Sequence, residues 1–268
     1  MKLLTIRSAR QDDKASLKKL WVTAFGEPEY ADFYLTHGVL ASSGLVVEED
    51  DAIAAMLWLL PVAVQQEFGM RRGNYVYAVV TDPAYRGRGY MGRLLQAAEE
   101  QTLREGGDFL TLVPASPSLF ELYARYGFSV CTTKRITTRT ACAEHVREEP
   151  VIECPLEEYL HLRKIKMPSM LTFTGKAAQY QQEEAAFTGL RTFYFPQTDG
   201  HAALFAEETL DVREVLGSIS EAGWQTLMKK LQTPTAQIRE ADGNVPYAMA
   251  RSLTHDTLGP FEQSLMFD

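Results

Sequence analysis

The chain opens on a short alternation of apolar and polar residues over positions 3–7, which predicts a strand. Asp12 or Asp13 then stands where an N-cap precedes Leu17, Leu20, Trp21 and Ala24 at helical spacing, so a helix follows. After the break at Gly26-Glu27-Pro28 a second helix is expected over 30–40, closed by the turn Ser42-Ser43-Gly44. Residues 45–48 and 53–61 read as a hairpin around Glu49-Asp50-Asp51, the second arm so apolar that it must be largely buried. A third strand is expected over 74–81. The loop 82–89 leads into a helix over 90–105, with Leu94, Leu95, Ala98 and Leu103 near helical spacing on one face and Gly106-Gly107 as its stop. A strand over 109–113, a short helix over 119–125, the Gly127 stop and a strand from 128 to about 140 complete an α/β layered domain.

The pattern is less regular beyond Pro150 and Pro155, which read as a link between a first domain over 1–145 and a second, smaller α/β lobe over 151–268. Helices are expected there over 156–164, 175–184 and 221–231. Strands are expected over 202–206, 210–215, 236–239 and 247–253, and a terminal segment over 261–267. Their order echoes the first half without sharing a residue motif.

Composition adds boundaries rather than detail. The 268 residues are 46% hydrophobic and 23% charged, the balance of an ordinary globular protein. The longest apolar run, 52–64, is broken by Pro61 and falls short of the roughly 20 residues of a bilayer-spanning helix, so no membrane span is expected. The first residues offer no secretory h-region, and a cytoplasmic location is expected by default. Cys131, Cys142 and Cys154 match neither a zinc motif nor a disulfide framework and read as reduced structural thiols. A formal charge of −8 argues against nucleic acid and anionic membranes as partners and favours a cationic one such as an amine.

The chemistry concentrates where Val79, Val80 and Thr81 end a strand and Arg86-Gly87-Arg88-Gly89-Tyr90-Met91-Gly92 opens a helix. Glycines at 87, 89 and 92 let backbone N–H groups approach a ligand, the helix N-terminus adds partial positive charge, and Arg86 and Arg88 supply full charges suited to phosphate. A pyrophosphate fits such a junction. The Gly-Lys-Ser/Thr of a P-loop is missing. Residues 87–92 match the dinucleotide fingerprint GxGxxG literally, but the acidic residue expected about 20 positions on, at the end of a second strand, is replaced by the turn Glu105-Gly106-Gly107-Asp108.

Val80-Thr81-Asp82-Pro83 with Tyr85-Arg86-Gly87-Arg88-Gly89-Tyr90-Met91 resembles the acetyl-coenzyme A loop of the GNAT N-acetyltransferases. Arg86 and Gly89 fit the first and fourth positions of the family's Arg/Gln-x-x-Gly-x-Gly/Ala, and Met91 replaces its small sixth residue. Downstream, Leu119 to Phe128 is similar to the family's Phe-Tyr-x-x-x-Gly-Phe ending, and Ile6-Arg7-Ser8-Ala9 with Asp12-Asp13 to its first strand and turn. The resemblance covers about residues 1–140, and beyond it the chain resembles two-part bacterial members whose second half keeps the fold in degenerate form.

That resemblance implies one acetyl-coenzyme A per chain as co-substrate, no metal, and a cofactor site of Val79, Val80, Thr81, Arg86, Gly87, Arg88, Gly89, Tyr90, Met91 and Gly92. It gives Tyr123 the general-acid role, with Tyr126 as fallback. The activity implied is N-acetyl transfer to a primary amine of a small molecule or peptide by direct attack. A non-catalytic acyl-coenzyme A sensor and a dinucleotide-dependent enzyme are the alternatives, and homo-oligomerisation is left open. The base is not written in the sequence: His37, Glu48, Glu49 and Glu121 are guesses, and the resemblance adds the carboxylate of Asp268. Ser116 and Ser118 lack the Gly-x-Ser-x-Gly elbow and a paired histidine of acyl-enzyme chemistry.

Overall fold

The structure is a computed structural model that describes residues 3–142 and 147–264. Residue 145, the expected end of the first domain, and the end of the chain with Asp268 lie outside the described residues. The chain begins β1 (Leu4–Ser8), α1 (Lys14–Phe25), α2 (Pro28–Tyr34), β2 (Ser43–Glu49), β3 (Ala52–Gln66) and β4 (Gly69–Thr81). It continues α3 (Tyr90–Arg104), β5 (Phe109–Leu112), α4 (Pro117–Ala124), β6 (Ser129–Thr140), β7 (Ile152–Glu153), α5 (Leu156–Lys166) and β8 (Thr172–Phe173). It ends α6 (Lys176–Thr188), β9 (Arg191–Phe195), β10 (Gly200–Ala206), β11 (Leu210–Leu216), α7 (Glu221–Leu231), β12 (Thr235–Ala241) and β13 (Val245–Ser252).

Several of these depart from the pattern. The helix expected over 30–40 stops at Tyr34, and Gly38–Leu40 forms only a 3₁₀ turn. Side-chain hydrogen bonds hold that turn: the Tyr34 hydroxyl donates to Ser42 Oγ at 3.1 Å, and Ser42 donates to the Gly38 carbonyl at 2.7 Å. Strand β4 starts at Gly69, because the β3–β4 hairpin stays paired out to Gln66 and Gly69 through polar residues that carry no apolar signal. Leu103 is 42% exposed, and Thr102 takes its place against the sheet, where its hydroxyl accepts from the Asn74 amide at 2.9 Å.

Two compact units emerge, and neither is a continuous stretch of chain. The first comprises 1–129, 172–180 and 249–259; the second comprises 130–171, 181–248 and 260–268. In the first, the strand order is β1-β2-β3-β4-β5 followed by the Met249–Ser252 part of β13, with β8 on β3. Every pair is antiparallel except β4 with β5, which α3 connects as a crossover. Strand β3 is apolar from Ala54 to Leu60 because both its faces are covered there. Leu57 and Leu59 join Leu94, Leu95 and Ala98 of α3, while Trp58 meets Tyr34 of α2 edge-on at 5.4 Å and Trp21 of α1 lies tilted against Tyr34 at 4.9 Å and edge-on to Tyr77 at 5.6 Å. Each such fully buried side chain contributes roughly 1.5–3 kcal/mol relative to exposure.

The second unit has the order β6-β12-β11-β10-β9-β7, again antiparallel except for one parallel pair, β11 with β12, joined by a crossover helix, α7. Its core packs Trp224, Leu227 and Met228 of α7 on Phe193, Phe195, Leu204, Val212 and Ile238. A buried ion pair, Arg163 to Glu214 at 2.9 Å, is satisfied by the Tyr159 hydroxyl donating to Glu214 at 2.9 Å and by Arg163 donating to the Leu171 carbonyl at 3.0 Å. Both units are therefore α/β, with an antiparallel run leading to a helix and a parallel return strand. No helix among the described residues is long and apolar enough to cross a membrane.

Candidate active site

Among the described residues, strand β4 pairs with β5 only from Gly73 to Tyr75, opposite Phe109 to Thr111, and then runs on to Thr81 paired on its β3 side alone. Its register on β3 shifts between Met56 and Trp58, where Ala78 takes the left-handed φ of 46°. The stretch through Val79, Val80 and Thr81 thus presents a free backbone edge on the side where β5 has ended. Val80 is buried, and Val79 and Thr81 are half-buried.

The chain then turns from β4 into α3. The Asp82 carboxylate accepts from the Ala84 amide at 2.8 Å and starts a single 3₁₀ turn, Pro83–Tyr85. Gly87 and Gly89 follow at φ of 77° and 76°, a region that costs an L side chain energy, with open space where a Cβ would stand. Gly89 is the N-cap and has no side chain to offer, and the first bond into the helix runs from the Arg93 amide to the Gly89 carbonyl at 3.2 Å. The amides of Tyr90, Met91 and Gly92 consequently have no acceptor within the helix. Among the described residues those of Gly87, Arg88 and Gly89 have no backbone acceptor either. Successive bare N–H groups at the positive end of a 15-residue helix form an anion cradle.

A family profile described as "Acetyltransferase (GNAT) domain" matches residues 5–131, which span this junction and Tyr123. Residues 5–131 are a GNAT acetyltransferase domain. The fold of nearly the whole chain is shared with solved structures. A GCN5-related N-acetyltransferase from Anabaena variabilis is 15% identical, with 94% of this chain and 73% of that one covered at a TM-score of 0.70. One from Kribbella flavida is 17% identical over 94% and 72%, at 0.68. A tandem GNAT protein from the clavulanic acid biosynthesis pathway is 12% identical over 95% of this chain and all of that one, at 0.57. None of the curated proteins compared matches the chain.

Within the GNAT domain the two arginines of the turn are placed differently. Arg86 is exposed, with its Nε donating to the Thr81 carbonyl at 3.3 Å. Arg88 folds back: one terminal nitrogen donates to Glu49 Oε2 at 2.7 Å, the other to the Ala84 carbonyl at 3.2 Å, and the guanidinium lies 4.9 Å from the Tyr85 ring centre. Gly92 also differs from its fellow glycines. A Cβ there would stand 2.8 Å from the Tyr126 ring, so its missing side chain makes room for that tyrosine rather than for a ligand.

Tyr123, near the end of α4, is buried against the α3 core and meets Phe128 edge-on at 5.8 Å. Burial alone pushes its phenol up to about 12, so it carries its proton at any ordinary pH. The guessed bases fare unevenly. Glu48 accepts from Arg7, which also binds Asp13 at 2.7 Å, and Glu49 is buried and bound to Arg88. His37 is exposed and stacks on Phe33 at 4.8 Å, and Glu121 is exposed on α4. Ser116 and Ser118 bond to each other at 3.1 Å, and Ser116 makes no capping bond to α4. The β4 bulge at Ala78 and the engagement of Glu49 left no mark in the sequence pattern.

Proposed function

We propose that the chain transfers an acetyl group from acetyl-coenzyme A to the primary amine of a small molecule or peptide. The observation that carries this reading is the uncapped start of α3 at the end of a strand whose β5-side edge is open. The bare amides and Arg86 receive the pyrophosphate, and the backbone of Val79, Val80 and Thr81 pairs with the amide groups of the pantetheine arm. The thioester then lies where β4 and β5 part, and a β4 amide polarises its carbonyl oxygen.

The neutral amine attacks the thioester carbon, and the tetrahedral intermediate collapses with cleavage of the C–S bond. The departing sulfur takes the bonding electron pair and the Tyr123 phenolic proton, and the proton lost from nitrogen restores the phenol. The products are an amide and free coenzyme A. With a phenol at about 12, the proton moves only as negative charge develops on sulfur, which keeps Tyr123 a donor throughout the cycle.

Titration with coenzyme A, followed by release of free thiol across a panel of amines, tests the proposal. Tight coenzyme A binding with acetylated product supports it. Binding without turnover on any amine turns the reading into the sensor, and binding of NAD in place of coenzyme A overturns it.

A further inference from the structure

Residues 45, 47 and 49 of β2 point to the same face of the sheet, and Leu45 and Val47 belong to the core under α3. Glu49 continues that row as a carboxylate only 4% exposed. Its backbone is held on both sides, opposite Leu4 of β1 and Ala52 of β3. A charge in such a place is costly unless it is paired. Two partners reach it from the turn that starts α3: Tyr90 donates its hydroxyl at 2.6 Å and Arg88 its guanidinium at 2.7 Å.

We propose that Glu49 is a positioning residue for the cofactor: it clasps Arg88 and Tyr90 so that the amides between and beyond them are already aimed when the pyrophosphate arrives. The inference rests on the cofactor site proposed above and sharpens it. Arg88 then serves the phosphates through Glu49 and its own backbone, and Arg86 is the arginine of the turn that meets them with its side chain. A turn with left-handed φ at both Gly87 and Gly89 has many other conformations open to it, and the clasp removes that freedom before binding.

The test compares coenzyme A affinity and steady-state constants for the whole chain, Glu49→Gln, Arg88→Ala and the double variant. Glu49→Gln keeps size and hydrogen-bonding atoms while removing the charge. Each single variant is expected to weaken coenzyme A and raise the acetyl-coenzyme A KM by about tenfold, with kcat little changed and the double variant no weaker than either alone. S-acetylpantetheine, which lacks the pyrophosphate, should keep the same KM in every variant. Unchanged or tighter binding in Glu49→Gln would mean that the substitution frees Arg88 for the phosphates, and additive losses would mean that the two act separately; either overturns the clasp. Should Glu49→Gln fail to fold, Arg88→Ala with Tyr90→Phe carries the same cycle with the same deciding outcomes. If the unsubstituted chain binds no coenzyme A, the cofactor reading fails and the clasp with it, whereas binding by the unsubstituted chain with an indifferent Glu49→Gln sinks the clasp alone.

Discussion

In the first unit α3 starts at Gly89, which cannot cap it; in the second, α7 starts after Ser220, whose hydroxyl accepts from the Gly223 amide at 2.9 Å. Ser220 in turn donates to Glu149, and Glu221 adds a carboxylate to the first turn of α7. Both helices cross between parallel strands, yet one leaves its positive end bare and the other fills it with the protein's own oxygens. The shared topology does not make an anion site. A missing cap leaves the first amides of α3 without a side-chain acceptor, and a glycine in that place forgoes only about a few tenths of a kcal/mol of helix stability.

The sharpest way to break the comparison is to separate the units. The first unit was read from sequence as self-standing over its first 145 residues, so a chain ended near 150 asks whether it folds alone. It would lose Met249–Ser252 beside β5, the Met249 carbonyl that accepts from Thr111 at 2.9 Å, and β8 beside β3. The expected outcome is loss of soluble protein in expression and size-exclusion trials. A soluble, coenzyme A-binding truncation would support the reading of residues 1–145 as a domain of their own.

Substituting the paired turns comes next. Gly89→Val should fold, since no protein atom lies within 4 Å of its Cβ, but lose coenzyme A by roughly 100-fold or more in calorimetry as the turn is strained and the cradle filled. Gly217→Ala, at φ of 75° between β11 and α7, should lower the melting temperature and leave coenzyme A affinity untouched.

Tyr123→Phe is expected to lower kcat by about 10²-fold with cofactor affinity kept. Because burial raises this phenol to about 12, the native enzyme's kcat should show no falling limb from Tyr123 up to about pH 10. The same shift stabilises the fold fully below the free-tyrosine value and is lost as pH climbs through the folded one. A falling limb near pH 8 that disappears in Tyr123→Phe would count against that environment. The smallest effect belongs to the second unit, where Ser220→Ala should cost ~1 kcal/mol in chemical denaturation and leave one coenzyme A per chain. A second equivalent bound in that variant would show that the cap alone had closed a site.

How much of this was legible follows from the range of the interactions. The turn from Arg86 to Gly92 was readable because its glycines and arginines act on their own neighbours, and α7 was readable end to end because Trp224, Leu227 and Met228 repeat at helical spacing. The Arg88 to Glu49 bond spans 39 positions, so nothing local distinguished that carboxylate from a candidate base. Strand β9, five residues of mixed polarity after a helix, gave no period to detect, and the two-residue β7 and β8 exist only through their partners on β9 and β3. Leu103 and Thr102 exchanged places because the Asn74 amide supplies a buried hydroxyl with a partner.

The placement of residues 249–252 beside β5 also sets a timetable for synthesis. Thr111 leaves the ribosome 138 residues before Met249, roughly 7–30 s at bacterial or eukaryotic elongation rates. Throughout that interval Phe109, Leu110 and Leu112 form a strand whose outer edge has no neighbour, an open template for pairing with another nascent chain. The unit that begins first is therefore completed only after most of the second has been made, and its demand for a chaperone should fall on the time between those two strands rather than on the finished protein.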